Sequence, residues 1–366
     1  MYIYIVVFVA SLLFSFFATR TNNKRRIIIL SLISILIPSI LGGLRSVSIG
    51  TDVALYVAPD MKAAYNASHF TDFVSRIYGS REPGYLAVVY GISRLTDNVQ
   101  WVLFAMQFIT IGGIYYGAYK HKKKISVPLV LGIFFLLFYN QSYNLVRQYM
   151  GLGIVFASLY RLENKEYKRF IICIVIATCF HYTSLIALLL LFVKWLLENK
   201  LSSGLISRDY LVGGAVVFAV VFLEQIVNVF VVVGLLSPAY LRYFRTDTGT
   251  GIGLTEILFY VVVLLMFLLT SKNLRNRVDN FRLFRINLLA VVSILILGVK
   301  LYYGSRLCLC FQIINMLLIA SMPTAFRKGA SRRIFTVSLV GLMSSYWIYI
   351  YCIAKTSATV PYVPFF

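Results

Sequence analysis

Residues 1–43 read MYIYIVVFVASLLFSFFATRTNNKRRIIILSLISILIPSILGG. Two apolar runs, about 2–18 and 26–43, flank a turn that holds Arg20, Lys24, Arg25 and Arg26. A membrane-crossing helix needs about 20 mostly apolar residues, and Lys and Arg collect on cytoplasmic ends. The stretch therefore predicts a helical hairpin that crosses the bilayer twice with its basic turn in the cytoplasm. The first run lacks a basic leader and a small-residue cleavage site, so it reads as a retained helix and not as a signal peptide.

The alternation continues. Apolar runs at about 99–119, 125–140, 143–160, 169–181, 182–198, 210–233, 255–271, 284–302, 305–322 and 334–353 bring the total to about twelve spans. Residues 84–96 are too short to span and predict an interfacial or re-entrant helix. The 366 residues are 60% hydrophobic and 13% charged, with mean hydropathy +0.83. Soluble domains carry about 25% charged residues and disordered chains have low hydrophobicity, so both classes are excluded. The fold class is an all-α polytopic membrane protein. No repeat or low-complexity linker divides it, so 1–366 reads as one transmembrane domain. The net charge of +22 resembles a nucleic-acid signal, but the basic residues sit between apolar runs, which is the positive-inside pattern. No nucleic-acid partner is expected. The five cysteines lie in apolar stretches without metal spacing and read as small apolar residues.

Of the 35 basic residues, 24 fall in one set of loops, which is thereby cytoplasmic, and an even number of spans puts both termini outside. Seven of the 13 acids (Asp52, Asp60, Asp72, Glu82, Asp97, Asp247 and Glu256) then lie outside, where two long loops run at about 44–83 and 234–254. The polar chemistry belongs to that face. Residues 169–197, basic at both ends, predict a hairpin with short arms and His181 at its outer tip, and the segment around Arg306 is similar. Irregular backbone at membrane depth must be buried in protein or line a wet cavity. The expectation is an outward-opening cavity floored by His181 and Arg306.

The residues that could carry chemistry each have a plainer reading. Arg45 with Gly50-Thr51-Asp52 and Tyr56 fits a helix start capped by Thr51 or Asp52, or an arginine for phosphate beside a base. Arg81-Glu82-Pro83-Gly84-Tyr85 fits a helix N-terminus or a ligand contact. Asn140, Gln141, Asn144 and Gln148 around Arg147 are costly in lipid, which favours a cavity over snorkelling. His181 is either a hydrogen-bonded structural residue or a base near its working pH. Tyr240, Arg242, Tyr243 and Arg245 suit anions and sugar rings, or an interfacial aromatic belt. Several arginines with few carboxylates suggest a substrate with a phosphate head group. There is no P-loop, GxSxG, HExxH or DxD-type motif.

In order, Arg45…Gly50-Thr51-Asp52…Tyr56, Glu82-Pro83-Gly84-Tyr85, Asn144-x-x-Arg147-Gln148, Phe180-His181-x-x-Ser184 and Arg306-x-x-x-x-Phe311 resemble the EpsG-like branch of the Wzy-type polysaccharide polymerases, which make O-antigen or capsule. The resemblance covers roughly 40–320. It implies a metal-independent inner-membrane glycosyltransferase of the GT-C kind, without cofactors. Such an enzyme moves a growing glycan from undecaprenyl diphosphate onto a new lipid-linked repeat unit. Its partners would be lipid-linked donor and acceptor, membrane lipids, a flippase and a chain-length regulator. A diphosphate leaving group needs charge neutralisation more than a proton, which assigns Arg147 and Arg306, with Arg45 assisting. The attacking hydroxyl needs a base: His181 first, Asp52 second, Glu82 third. Arg81, Tyr56, Asn144, Gln148, Tyr240, Arg242 and Arg245 would bind substrate. An O-antigen ligase or a lipid-linked oligosaccharide flippase would share much of this pattern.

Overall fold

The first hairpin forms for local reasons. Asn23 opens its second helix by accepting the N–H groups of Arg25 (3.0 Å) and Arg26 (3.2 Å), donors that a helix start leaves unpaired. The arms are α1 (Tyr2–Arg20) and α2 (Lys24–Gly43). Pro38 inside α2 has no N–H, so the Ser34 carbonyl loses its partner one turn on. Ser11 of α1 supplies a replacement. Its Oγ donates to Ser34 O at 2.7 Å, and Ser34 Oγ donates back to Ser11 O at 2.9 Å. On the opposite side of α1, Tyr2, Val6, Val9, Leu13 and Phe17 form an exposed apolar stripe at helical spacing.

The computed structural model describes residues 1–77, 81–198, 213–215, 218, 222–234, 241, 253–297 and 304–366. It divides into two units, Met1–Leu185 with Arg333–Phe366, and Ile186–Arg332. Among the described residues all regular structure is helical. Six helices among the described residues are long and apolar enough to cross a membrane: Tyr2–Arg20, Lys24–Gly43, Val99–Lys120, Leu254–Leu274, Cys308–Ala325 and Ala330–Ile353. The expected span 210–233 and loop 234–254 lie mostly outside the described residues.

In the first unit the chain continues through α3 (Ala58–Tyr65), α4 (Phe70–Arg76), α5 (Pro83–Ser93), α6 (Val99–Lys120), α7 (Val127–Leu137), α8 (Val146–Glu163) and α9 (Tyr167–Thr178). Helix α6 packs along α2 and α8, α1 packs on α7, and α8 on α9. The short helices α3 to α5 are seated by one buried cluster. Val53, Val57, Met61, Phe73, Tyr85 and Val89 close against Val102 and Met106 of α6 and Val146 and Met150 of α8.

The second unit contains α10 (Leu188–Glu198), α11 (Leu223–Val232), α12 (Leu254–Leu274), α13 (Phe281–Leu297) and α14 (Gly304–Ser321). Buried amides link its helices. Asn287 Nδ2 donates to Asn315 Oδ1 (2.7 Å) and Phe311 O (2.8 Å), and Gln312 Nε2 donates to Glu256 Oε1 (2.7 Å).

The chain returns to the first unit at Arg333, in the first turn of α15 (Ala330–Trp347). Trp347 Nε1 donates to Asn140 Oδ1 (2.8 Å), and Asn140 Nδ2 donates to Thr359 Oγ1 (2.9 Å). Tyr4 OH donates to Thr359 O (2.7 Å) and Tyr362 OH to Leu41 O (2.8 Å). The segment then lies antiparallel to the end of α2: Ser46 N donates to Val363 O (2.8 Å) and Phe365 N to Leu44 O (3.0 Å).

Candidate functional site

The candidate site lies where the short helices α3 to α5 meet the start of α8 and the turn after α9. Gly50 makes the first approach. Its φ is +99°, and a Cβ there would stand 2.2 Å from Tyr143 O, so only glycine lets this turn lie against residues 143–144. Thr51 N then donates to Asn144 Oδ1 at 2.9 Å, and Asn144 Nδ2 donates to Ser357 O at 3.2 Å. Neither Thr51 nor Asp52 caps a helix by its side chain. The chain instead enters a wide π-helical turn, Val53–Val57, in which Ala58 N–H bonds Val53 O. That turn directs Tyr56 OH onto Asp52 Oδ2.

Gly84 makes the second approach. Its N–H donates to Cys179 O at 2.7 Å, and a Cβ would stand 2.7 Å from the same oxygen. This contact joins the start of α5 to the end of α9. It brings Glu82, the residue before the helix, to His181. Glu82 holds the N-cap position, but its carboxylate makes no cap. Oε1 accepts from His181 Nδ1 at 2.8 Å, and Oε2 accepts from Arg147 Nη1 at 2.5 Å. Glu82 is 3% exposed in its side chain, Arg147 19% and His181 24%. Burial pushes the Glu82 carboxyl up, but the His181 hydrogen bond and the Arg147 charge outweigh it. They hold Glu82 below its ordinary value.

Tyr56 is the platform of the site. The Arg147 guanidinium lies 4.5 Å from its ring centre and that of Arg81 4.8 Å, close enough for cation–π attraction. The Tyr85 ring meets it edge-on at 5.8 Å. Arg81 Nε donates to Asp60 Oδ2 at 3.1 Å, and Tyr85 OH donates to the same oxygen at 2.8 Å. Burial, then the Asp52 carboxylate, raise the Tyr56 phenol above its ordinary pKa, so it stays a donor. Arg147 Nε, Thr183 Oγ1 and Ser184 Oγ are buried without a protein hydrogen-bond partner.

The structure thus brings together Asp52, Tyr56, Arg81, Glu82, Arg147 and His181 of the residues singled out in the sequence. Gln148 is buried on the first turns of α8. Asp60 and Tyr85 belong to the network and were not singled out as site residues. An acid in the first turn of a helix is its own explanation in sequence.

Arg45 stands apart. It is fully buried, with the Tyr143 ring centre 4.2 Å away and Nη1 donating to Gly42 O at 2.5 Å. The returning segment pairs with it at Pro364. As folded, it presents no surface to a substrate and ties α2 to residues 359–366. Arg306 lies on α14 of the second unit with its side chain exposed. Tyr240, Arg242 and Arg245 lie outside the described residues. No group of three His, Cys, Asp or Glu residues could hold a metal among the described residues.

Apolar helices long enough to cross a membrane, with a buried carboxylate bridging a histidine and an arginine beside short helices, define the class, a multi-pass helical membrane protein. The EpsG family model matches residues 28–363, so the chain belongs to the EpsG family, and it is a polysaccharide-polymerase-like membrane protein. No curated protein and no solved structure matches it.

Proposed function

We propose that this protein polymerises oligosaccharide repeat units carried on undecaprenyl diphosphate, at the outer face of the bacterial inner membrane. It transfers the growing glycan to a new lipid-linked repeat. About twelve spans, a GT-C-like arrangement and a single domain over both units complete this reading. The observation that carries it is Glu82 bridging Arg147 and His181, at 2.5 and 2.8 Å, in a chain of this family.

Transfer to a sugar hydroxyl needs a base within hydrogen-bond reach. His181 is the first choice and Asp52 the second. The leaving diphosphate needs cations. Of the two arginines that the sequence assigns to it, Arg147 is engaged by Glu82, and Arg306 is the one we place at the phosphates, with Tyr240, Arg242 and Arg245 of the 234–254 loop. A diphosphate already leaves as a stable anion, so the step is read as metal-independent. A flippase would deliver the units, and a chain-length regulator would act beside the polymerase.

The test is a polysaccharide gel on a deletion strain and its complemented parent. The expected result is single repeat units on the lipid and loss of the ladder. A full-length polymer stranded on its carrier identifies a ligase. Single units trapped on the cytoplasmic side identify a flippase. Either result overturns the reading.

A further inference from the structure

Resting on the polymerase reading, we infer that the Glu82–Arg147–His181 cluster receives the attacking sugar and not the lipid diphosphate, with Glu82 as the residue that positions His181. The first argument is charge. Among the described residues the connected network holds two guanidiniums, Arg81 and Arg147, and three carboxylates, Asp52, Asp60 and Glu82. Each guanidinium is held by a carboxylate, Arg81 by Asp60 at 3.1 Å and Arg147 by Glu82 at 2.5 Å. A diphosphate brought here would have to displace a carboxylate from each guanidinium. A sugar is neutral and its hydroxyls both donate and accept. That suits a site whose guanidiniums are already paired with carboxylates and whose more accessible members are His181 and Arg147.

The second argument is geometry. Both Glu82 oxygens are occupied, one by His181 and one by Arg147, so Glu82 is not the base. A carboxylate only accepts, so His181 Nδ1 carries a proton, and the form of the ring that acts as a base has its lone pair at Nε2. Arg147, stacked on Tyr56, prevents the carboxylate from turning away. In the step, the acceptor O–H gives its proton to Nε2 while its oxygen bonds the anomeric carbon of the donor. The anomeric C–O bond to the diphosphate breaks, and its electron pair leaves on the phosphate oxygen. Glu82 then faces an imidazolium.

The test uses the full chain in lipid nanodiscs with two readouts, undecaprenyl diphosphate binding and transfer from a purified lipid-linked repeat unit. His181→Gln keeps an N–H for Glu82 but lacks the base, while Glu82→Gln leaves an amide that cannot accept from both partners. Both variants are expected to bind undecaprenyl diphosphate within about twofold of the parent while kcat for transfer falls about 10²–10⁴-fold, the range for loss of a general base. Glu82→Asp, which keeps the carboxylate, should recover part of the Glu82→Gln loss with the donor KM unchanged. Imidazole in the buffer should raise the rate of His181→Ala and leave that of Glu82→Gln where it is. A tenfold or greater loss of undecaprenyl diphosphate binding in either glutamine variant places the diphosphate in this cluster and overturns the assignment. Transfer at the parent rate in either variant also overturns it. If the unsubstituted chain neither binds the lipid nor elongates its repeat unit, the polymerase reading itself falls.

Discussion

Glu82 has two oxygens and two partners, so its ionisation is a stability term. Its pKa in the folded chain is lowered, chiefly against burial by His181 and Arg147. The stabilisation is therefore present above the unfolded value of about 4.3 and is lost as pH falls through the folded value. Thermal midpoints of the parent and Glu82→Gln should differ at pH 7, and the gap should narrow as pH falls below about 4.3 toward the lowered folded value; a gap that does not narrow on acidification contradicts the ion-pair account. Arg45 is a different case. Removing a large, fully buried side chain leaves a cavity, and Arg45→Ala should cost about 2–5 kcal/mol. It should show as lost folded protein in a size-exclusion and melting assay. Well-folded Arg45→Ala that makes no polymer would mean a substrate contact instead. The sequence reading of Arg45 as a phosphate ligand had no means of seeing Tyr362 and Pro364 return to it from more than 300 positions away. Arg147, Glu82 and His181 were legible one by one, because ionisable and amide residues are conspicuous in apolar sequence. Their pairing was not, since Glu82 lies 65 residues from Arg147 and 99 from His181.

At the scale of elements, the first turn of α5 and the last turn of α9 behave as one piece, held by the Gly84 N–H to Cys179 O bond. A methyl at Gly84 would stand 2.7 Å from that oxygen. Gly84→Ala should cost about 1–3 kcal/mol, as overpacking does, and should lower transfer because Glu82 moves off His181. A variant with parent melting temperature and activity would show that the contact is slack. The other end of the first unit has its own tie between elements. His121 after α6 meets Glu163 at the end of α8 at 3.0 Å and the Gly117 carbonyl at 2.7 Å. Burial opposes its charge, but the Glu163 hydrogen bond prevails and raises its pKa above the ordinary value. This contribution is fully present below about pH 6.5 and is lost as pH rises through the raised value. The melting temperature of the parent should fall across that range more than that of Glu163→Gln; parallel curves would remove the tie. Helix positions were the most readable layer of the sequence, because apolar length and basic flanks act locally. The Val53–Val57 π turn was not, because nothing in VALYV distinguishes it from an ordinary helical turn.

For the molecule as a whole, the charge pattern predicts which side each loop faces. In a cysteine-free background, Ser75→Cys on α4 should react with a membrane-impermeant maleimide in intact spheroplasts. Lys123→Cys, in the basic turn after α6, should react only after lysis. Both positions are exposed, so the reverse pattern would turn the proposed site to the cytoplasm and end the outer-face reading. The layout of the first unit also has a consequence in time. Its sequence is interrupted by the whole of the second unit, from Ile186 to Arg332. Leu44 and Ser46 find their partners at Phe365 and Val363, and Tyr4 finds its own at Thr359. A ribosome adding about 5–20 residues per second needs roughly 15–60 s to travel from one side of that seam to the other. For that interval a newborn chain holds its first hairpin ready with one flank unsealed, and Arg45 keeps its water until the seam arrives.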